Sequence, residues 1–300
     1  MNNGKRIVLE ASEGITFRVQ SGKGEIVIKA IREDKIKLFN RPYSYRNPKV
    51  PEGYRHVYGD DWCDGFIIEN ISDGSEFVWI PVGWLDADAT LDRFNFNEKF
   101  GRTKWNNYGF SEREYHEEID EEVIESIKKY GGFYFSRYHA SREKDKLVFK
   151  KGNMPWVNIN YHDAEALAAN YARGSKDVIS QITSGAAFDT VLRWIIKSRA
   201  KTFKQVAHDS TSWGNYKNTA ESCHKVMHTG SNEYWCANGI YDLAGNVEEW
   251  TSEKFAKSLR VARGGFYKGG GEFWPAADRS HNSPNDYCIS TSFRAMLYLK

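Results

Sequence analysis

Apolar positions in this chain fall into short runs, not long stripes. Between residues 7 and 39 the runs Ile7-Val8-Leu9, Ile15-Thr16-Phe17-Arg18-Val19 and Ile26-Val27-Ile28 are broken by glycine and charge, as at Ser21-Gly22-Lys23-Gly24. That period-two texture predicts one or two β-hairpins. Residues 40–60 mix Pro42, Pro48 and Pro51 with Tyr and Arg and read as an irregular connector, which sets a boundary near residue 45. Strand texture resumes at Phe66-Ile67-Ile68 and Phe77-Val78-Trp79-Ile80, with Asp73-Gly74 as the turn between them.

Helical spacing comes next. Ser111 and Glu114 have capping-box spacing, and Ile119, Val123, Ile124 and Ile127 follow at helical intervals, so a helix is expected over 111–130, stopped by Gly131-Gly132. Phe133 to Tyr138 reads as an aromatic strand. Helices are expected over Ala164–Ala172 and Phe188–Ser198, the second burying Phe188, Val191, Leu192, Ile195 and Ile196. Beyond residue 200 the periodicity fades into Gly, Asn, Ser and Trp, which predicts a loop-rich end. No internal repeat is visible.

Composition narrows the class. The 300 residues carry 42 Lys and Arg against 40 Asp and Glu, a net +2, which gives no electrostatic case for a nucleic-acid or membrane-surface partner. The longest apolar stretch, Phe77 to Leu85, is too short to span a bilayer. Met1-Asn2-Asn3-Gly4-Lys5-Arg6 has no apolar region behind it, so no signal peptide is expected. Aromatic residues make up 15% of the chain, and with 25 glycines they favour a β-rich or irregular α+β architecture. Four cysteines, Cys63, Cys223, Cys236 and Cys288, are too few for a disulfide scaffold; Cys223 and Cys236 are the pair that would bridge in an oxidising environment.

The C-terminal third carries an ordered chain of motifs. Asn238-Gly239-Ile240-Tyr241-Asp242-Leu243-Ala244-Gly245-Asn246-Val247-Glu248-Glu249-Trp250 is followed by Arg263-Gly264-Gly265 and by Ser292-Phe293-Arg294-Ala295. Upstream stand Phe77-Val78-Trp79-Ile80-Pro81-Val82-Gly83, Gly132-Phe133-Tyr134, Asp163-Ala164-Glu165-Ala166 and Gly185-Ala186-Ala187-Phe188-Asp189. Over residues 65–300 this order resembles the formylglycine-generating-enzyme-like (sulfatase-modifying) superfamily. The resemblance implies an α+β, C-type-lectin-like fold over residues 46–300, with residues 1–45 as a β-hairpin attachment or oligomerisation segment. Asp242 and Asn246 are expected at turns, Trp250 in the core, and Arg294 clamping loop carbonyls or a carboxylate.

That resemblance covers enzymes and binding proteins. The oxidase branch holds copper on a cysteine pair shortly after Arg-Gly-Gly, where soft thiolates suit Cu(I). Here that stretch reads Phe266-Tyr267-Lys268-Gly269-Gly270-Gly271-Glu272-Phe273-Trp274, and Cys288 stands alone further on. The iron branch adds a His-rich helical domain, whereas residues 1–64 hold only His56. A zinc site drawn from Cys223, His224, His228 and Cys236 lacks the zincin Glu, since Lys225 follows the first His. No catalytic residue is therefore expected, and a formylglycine-generating oxidase is the alternative. Asn246 and Glu249 are the candidate ligands for a structural calcium; no other cofactor is expected.

The stretch 264–294 has the composition of a paratope, with large rings among small polar groups. Phe266, Tyr267, Glu272, Phe273, Trp274, Asp278, Ser280, His281, Asn282, Asn285, Asp286, Tyr287, Ser290 and Ser292 are the candidate ligand-binding residues. Such a segment on such a fold resembles the variable region of proteins diversified by retroelements. The resemblance implies a non-catalytic protein on a virion tail or a cell surface that binds a protein receptor, as a homo-oligomer, without nucleic acid and without membrane insertion. The absent signal peptide favours the virion.

Overall fold

The computed structural model describes residues 15–22, 25–32, 48–59, 65–82, 115–219 and 224–300. Contacts divide the chain into two units, Met1–Asn47 and Pro48–Lys300. In the first, strands β1 (Ile15–Gly22) and β2 (Glu25–Arg32) form an antiparallel hairpin, with Ile15 opposite Arg32 and Gly22 opposite Glu25. The expected run Ile7-Val8-Leu9 lies outside the described residues.

The second unit opens with β3 (Tyr54–Tyr58), β4 (Ile67–Asn70), β5 (Glu76–Ile80) and the two-residue β6 (Tyr115–His116). Helix α1 (Glu121–Tyr130) follows, then β7 (Phe133–Ser136), β8 (Ser141–Glu143) and β9 (Lys146–Val148). Next come α2 (Tyr161–Asn170), β10 (Val178–Ile182), α3 (Gly185–Lys197) and the short α4 (Phe203–Ala207). The C-terminal third holds β11 (Cys236–Ala237), β12 (Ile240–Tyr241), β13 (Glu248–Phe255), β14 (Leu259–Arg263), β15 (Arg279–Asn282), β16 (Thr291–Phe293) and β17 (Ala295–Leu299).

Two sheets organise this unit. An antiparallel six-stranded sheet runs β10-β17-β7-β5-β4-β3, so the C-terminal strand is interior. Its central strands read as unbroken apolar runs because both faces are covered: Phe77, Val78, Trp79, Ile80, Phe133, Tyr134 and Phe135 are fully buried. The second sheet runs β15-β14-β13-β16, with β16 parallel to β13 and β6 pairing with the far end of β13. Helix α3 packs against β5 of one sheet and β13 of the other, and Phe188 meets Phe135 edge-on at 6.5 Å. No helix among the described residues is long and apolar enough to cross a membrane.

The helix starts follow capping chemistry. Asn160 caps α2 by accepting from the Asp163 N–H, and Ser184 caps α3 by accepting from the Ala187 N–H, so each helix begins three residues earlier than its apolar spacing implies. The first helix is the larger correction. Ser111 and Glu114 lie outside the described residues, and α1 starts at Glu121, because Tyr115 and His116 pair with β13 and Glu117 turns away to α3. Glu121 and Glu122 in its first turn and Lys128 and Lys129 in its last complement the helix dipole. Residues 54–58, expected to be irregular, form an edge strand. The end of the chain is likewise richer in strand than its composition implies, since five strands lie beyond residue 247. Their period-two signal is hidden because charged residues point inward: Glu248, Glu249, Glu253, Arg263 and Arg279 are all buried.

A candidate ligand-binding face on a charge-locked scaffold

Those inward charges are the bonds that hold the C-terminal third. Asp242 and Asn246 adopt left-handed backbone (φ +59° and +61°), a conformation that Asn and Asp tolerate best among residues with a side chain. Asp242 Oδ2 accepts from the Gly230 N–H at 2.8 Å. Asn246 Oδ1 accepts from the Met227 N–H at 2.9 Å and from Asn215 Nδ2 at 3.1 Å, while its Nδ2 donates to the Met227 carbonyl at 3.1 Å. Trp250 is fully buried, and its indole N–H donates to the Ile159 carbonyl at 3.1 Å. Arg294 clamps a carboxylate, one of the two alternatives expected of it, and the carbonyls it holds end strands and are not in loops. Its Nε donates to Glu249 Oε1 at 2.7 Å, and its two terminal nitrogens donate to the Ser136 and Tyr241 carbonyls.

A second buried cluster lies beside α3. Asp189 takes one guanidinium on each oxygen, Arg263 on Oδ1 and Arg279 on Oδ2, and Arg279 Nε reaches Glu253 Oε2 at 3.1 Å. Burial pulls the Arg263 guanidinium below its ordinary value, helped by neighbouring Arg279. Burial acts on Arg279 in the same sense, but Asp189 and Glu253 outweigh it and hold its value raised. Glu117 closes the cluster by accepting from the Gly185 and Ala186 N–H groups at the start of α3, and from Ser252 Oγ. Burial first, then the charge of Glu253, pushes the Glu117 carboxyl up to about 7. Glu248, buried under the 280–291 stretch, is likewise pushed up to about 7 by burial and then by Asp278. Glu249 goes the other way, since Arg294 and His139 outweigh its burial.

These bonds bracket the segment 264–294 with fixed ends. Arg263, Gly264 and Gly265 are buried at one end, and residues 291–299 at the other. Gly265 has φ +73°, and a Cβ there would lie 2.2 Å from the Trp274 carbonyl, so only glycine fits. Between the ends the candidate residues separate into three groups. Glu272, Phe273, Asn285, Asp286 and Tyr287 are exposed, Phe273 by 44% and Tyr287 by 58%. Phe266, Trp274, Ser280, His281, Asn282 and Ser290 are half-buried. Trp274 packs edge-on against Phe266 at 5.7 Å, His281 stacks on Phe255 at 4.1 Å, and Glu272 Oε2 accepts from Asn218 Nδ2 at 2.7 Å.

Three of the candidates are withdrawn from any outside ligand. Tyr267 and Asp278 are buried, the latter beside the arginine cluster and Glu248, and Ser292 lies in β16 with no exposure. Two exposed or half-exposed groups escaped the sequence reading: Ile289, 61% exposed, and Trp156, which stands before α2. Ile289 looks like an interior residue by type, and Trp156 lies more than a hundred residues away in sequence from the segment it approaches.

Metal chemistry fits poorly on the residues present. The side-chain oxygen of Asn246 is filled by two N–H donors and Glu249 Oε1 by Arg294, which leaves Glu249 Oε2 as the one oxygen of the two proposed calcium ligands without a hydrogen-bond partner among the described residues. A copper-binding cysteine pair has no counterpart between Arg263 and Cys288. The turn is also too tight to add side chains, since a Cβ at Gly271 would lie 2.3 Å from the Thr211 amide nitrogen. Cys236 and Cys288 are free thiols, both half-buried, with burial raising each above the ordinary thiol value. Cys63 and Cys223 lie outside the described residues. Among the described residues no three His, Cys, Asp or Glu side chains converge on a metal position, His224 and His228 included.

Two packed sheets bridged by a buried helix, with long loops carried on an Arg–Glu-locked C-terminal third, define an α+β domain of the C-type-lectin-like type. The family model for the sulfatase-modifying factor enzyme 1-like domain matches residues 70–297, and the chain belongs to that family. Among solved structures it is similar to PvdO from Pseudomonas aeruginosa, at 15% identity, TM-score 0.41, 57% of this chain and 82% of that one. Treponema denticola variable protein 1 is similar at 14% identity and TM-score 0.40 over 55% of this chain and 84% of that one. CarF is similar at 13% identity and TM-score 0.41 over 56% and 87%. None of the curated proteins matches the chain.

Proposed function

We propose that this protein is a non-catalytic ligand-binding protein that displays the exposed side chains of residues 264–294 on a formylglycine-generating-enzyme-like scaffold. The observation that carries the reading is the separation of roles within that segment. Its brackets, Arg263-Gly264-Gly265 and Phe293-Arg294, are buried and bonded to a distant helix (Asp189) and a distant strand (Glu249), while Glu272, Phe273, Asn285, Asp286 and Tyr287 project outward. Exposed rings among Asn, Asp and Glu supply contact area and adaptable hydrogen bonds, the make-up of a recognition surface. The finer reading is a variable protein of a diversity-generating retroelement, carried on a virion tail or cell surface and binding a protein receptor, with the N-terminal hairpin as the attachment and oligomerisation segment.

Two measurements test it. Loaded with Cu(I) and offered a cysteine-containing sulfatase-type peptide under oxygen, the protein is expected to form no formylglycine above a metal-only blank; turnover overturns the reading. The surrounding DNA is expected to hold a reverse-transcriptase gene and a near-copy of the sequence encoding the C-terminal end. A locus without them removes the retroelement and leaves the binding role to the copper assay.

A further inference from the structure

A groove of about 440 Å³ lies between α2 and the loop of residues 283–290, within the roughly 300–1,000 Å³ typical of small-molecule sites. Its two rings are Trp156 and Tyr287, and Ile159 and Leu167 supply apolar surface. The walls are fixed to each other by backbone. The Asn158 N–H donates to the Cys288 carbonyl at 2.9 Å and the Tyr161 N–H to the Pro284 carbonyl at 3.0 Å. Behind them the Trp250 indole holds the Ile159 carbonyl, so the family's central tryptophan braces the groove. Arg142 lies over the Trp156 ring, 5.4 Å from its centre, and is paired with Asp145. The groove is therefore built before any ligand arrives, which lowers the ordering cost of binding.

Its polar groups specify what fits. Asp163 Oδ2 accepts from Asn160 Nδ2 at 2.9 Å and, at a longer 3.3 Å, from the Tyr287 hydroxyl. The exposed Asn158 side chain makes no hydrogen bond within the described residues. Asn170 adds a second amide, whose Nδ2 already donates to the Ala166 carbonyl at 2.7 Å. One carboxylate, two amides and no lining cation make a poor anion site. A carboxylate is an acceptor and needs donors. A polyproline segment, the other common occupant of an aromatic groove, has no N–H to give it. A pyranose ring offers several hydroxyl donors to the carboxylate and amides, and flat C–H faces to the two rings.

We propose that this groove is a saccharide subsite that takes one neutral pyranose ring between Trp156 and Tyr287, with Asp163 and Asn158 receiving its hydroxyls. The proposal rests on reading the chain as a ligand-binding protein and gives part of that ligand a chemical class. The test uses the full chain with tryptophan indoles labelled with nitrogen-15. It is titrated with methyl glycosides of glucose, galactose, mannose and N-acetylglucosamine, and with a decaproline peptide.

At least one glycoside is expected to shift the Trp156 indole signal saturably. Tyr287→Ser and Asp163→Asn, both at exposed positions, are expected to weaken that glycoside at least about ten-fold, as befits loss of a main contact. Ile71→Ala, exposed and outside both the groove and the 264–294 segment, should leave it unchanged. The proposal is overturned if no glycoside saturates, if affinity survives both groove substitutions, or if decaproline saturates the same signal instead. Formylglycine formation in the copper assay would sink the binding-protein reading by itself, whereas a failed titration with no turnover sinks only the groove.

Discussion

Replacing Glu248 with Gln should make the protein more stable at pH 8 and much less so at pH 5. Glu248 is buried, and its carboxyl is pushed from the ordinary 4.5 to about 7 by burial and by Asp278, with the Ser280 and Thr291 side chains offsetting only part. The folded state therefore holds this proton more tightly than the unfolded chain does. The group's stability contribution is complete below about pH 4.5 and is lost as pH rises to about 7, a displacement worth roughly 3 kcal/mol at about 1.4 kcal/mol per pH unit. An amide has the shape of the protonated acid and no charge to lose, so its stability should not fall over that range through this site. Urea unfolding of wild type and Glu248→Gln at pH 5, 6, 7 and 8 measures the difference directly, and subtraction removes every other titrating group. We expect a difference of under about 1 kcal/mol at pH 5 that grows to about 3 kcal/mol in favour of the variant at pH 8. Glu249, whose value is lowered by Arg294 and His139, loses its contribution as pH falls below the ordinary carboxylate value and leaves this range undisturbed. A difference that stays flat from pH 5 to pH 8 would refute the buried, proton-holding role given to Glu248.

The remaining expectations separate scaffold from surface. Trp250→Ala should cost about 3–5 kcal/mol, the usual effect of deleting a large core ring, while Phe273→Ala with Tyr287→Ser should cost under about 1 kcal/mol; thermal melts of the two proteins side by side decide it. A melting temperature unchanged in excess chelator is expected from the internal donors that fill Asn246 and hold Glu249, and a fall of several degrees would restore calcium to those residues.

How much of this could be read from the sequence depends on where each residue's partner lies. Helices α2 and α3 were legible because their alanine-rich and apolar spacing is local, but their starts fell three residues late because the caps Asn160 and Ser184 were not read as such. The interior strands β5 and β7 were legible because a strand covered on both faces is an apolar run. The start of α1 was not, since Glu117 is committed to α3 and Tyr115 to β13, far along the chain. The strands beyond residue 247 were hidden for the same reason. Their inward positions are Glu and Arg, which alternate like surface residues until the opposite charge is known to face them from another element.

The same blindness explains which candidate site residues were misplaced, and it sharpens the functional reading. Tyr267, Asp278 and Ser292 have the composition of a recognition loop but are interior, so the segment between the two arginine motifs is not uniformly free to change. Positions bonded inward alternate with positions that project. Gly265 leaves the room that the Trp274 carbonyl occupies, and Arg279, one residue after Asp278, shares Asp189 with Arg263. Burying a charge without its partner typically costs about 3–5 kcal/mol, a large part of the stability of an ordinary domain. Substitution at Asp278 or Arg279 would therefore threaten the fold before it altered recognition. Exposed changes at Glu272, Phe273, Asn285, Asp286 or Tyr287 usually stay within about 0.5 kcal/mol each. On the proposed reading, a surface that changes its specificity without losing its fold needs that separation. Here it is drawn within a few residues: Asp286 and Tyr287 are exposed only five residues before the fully buried Thr291 and Ser292, and the Cys288 carbonyl between them is bonded to Asn158.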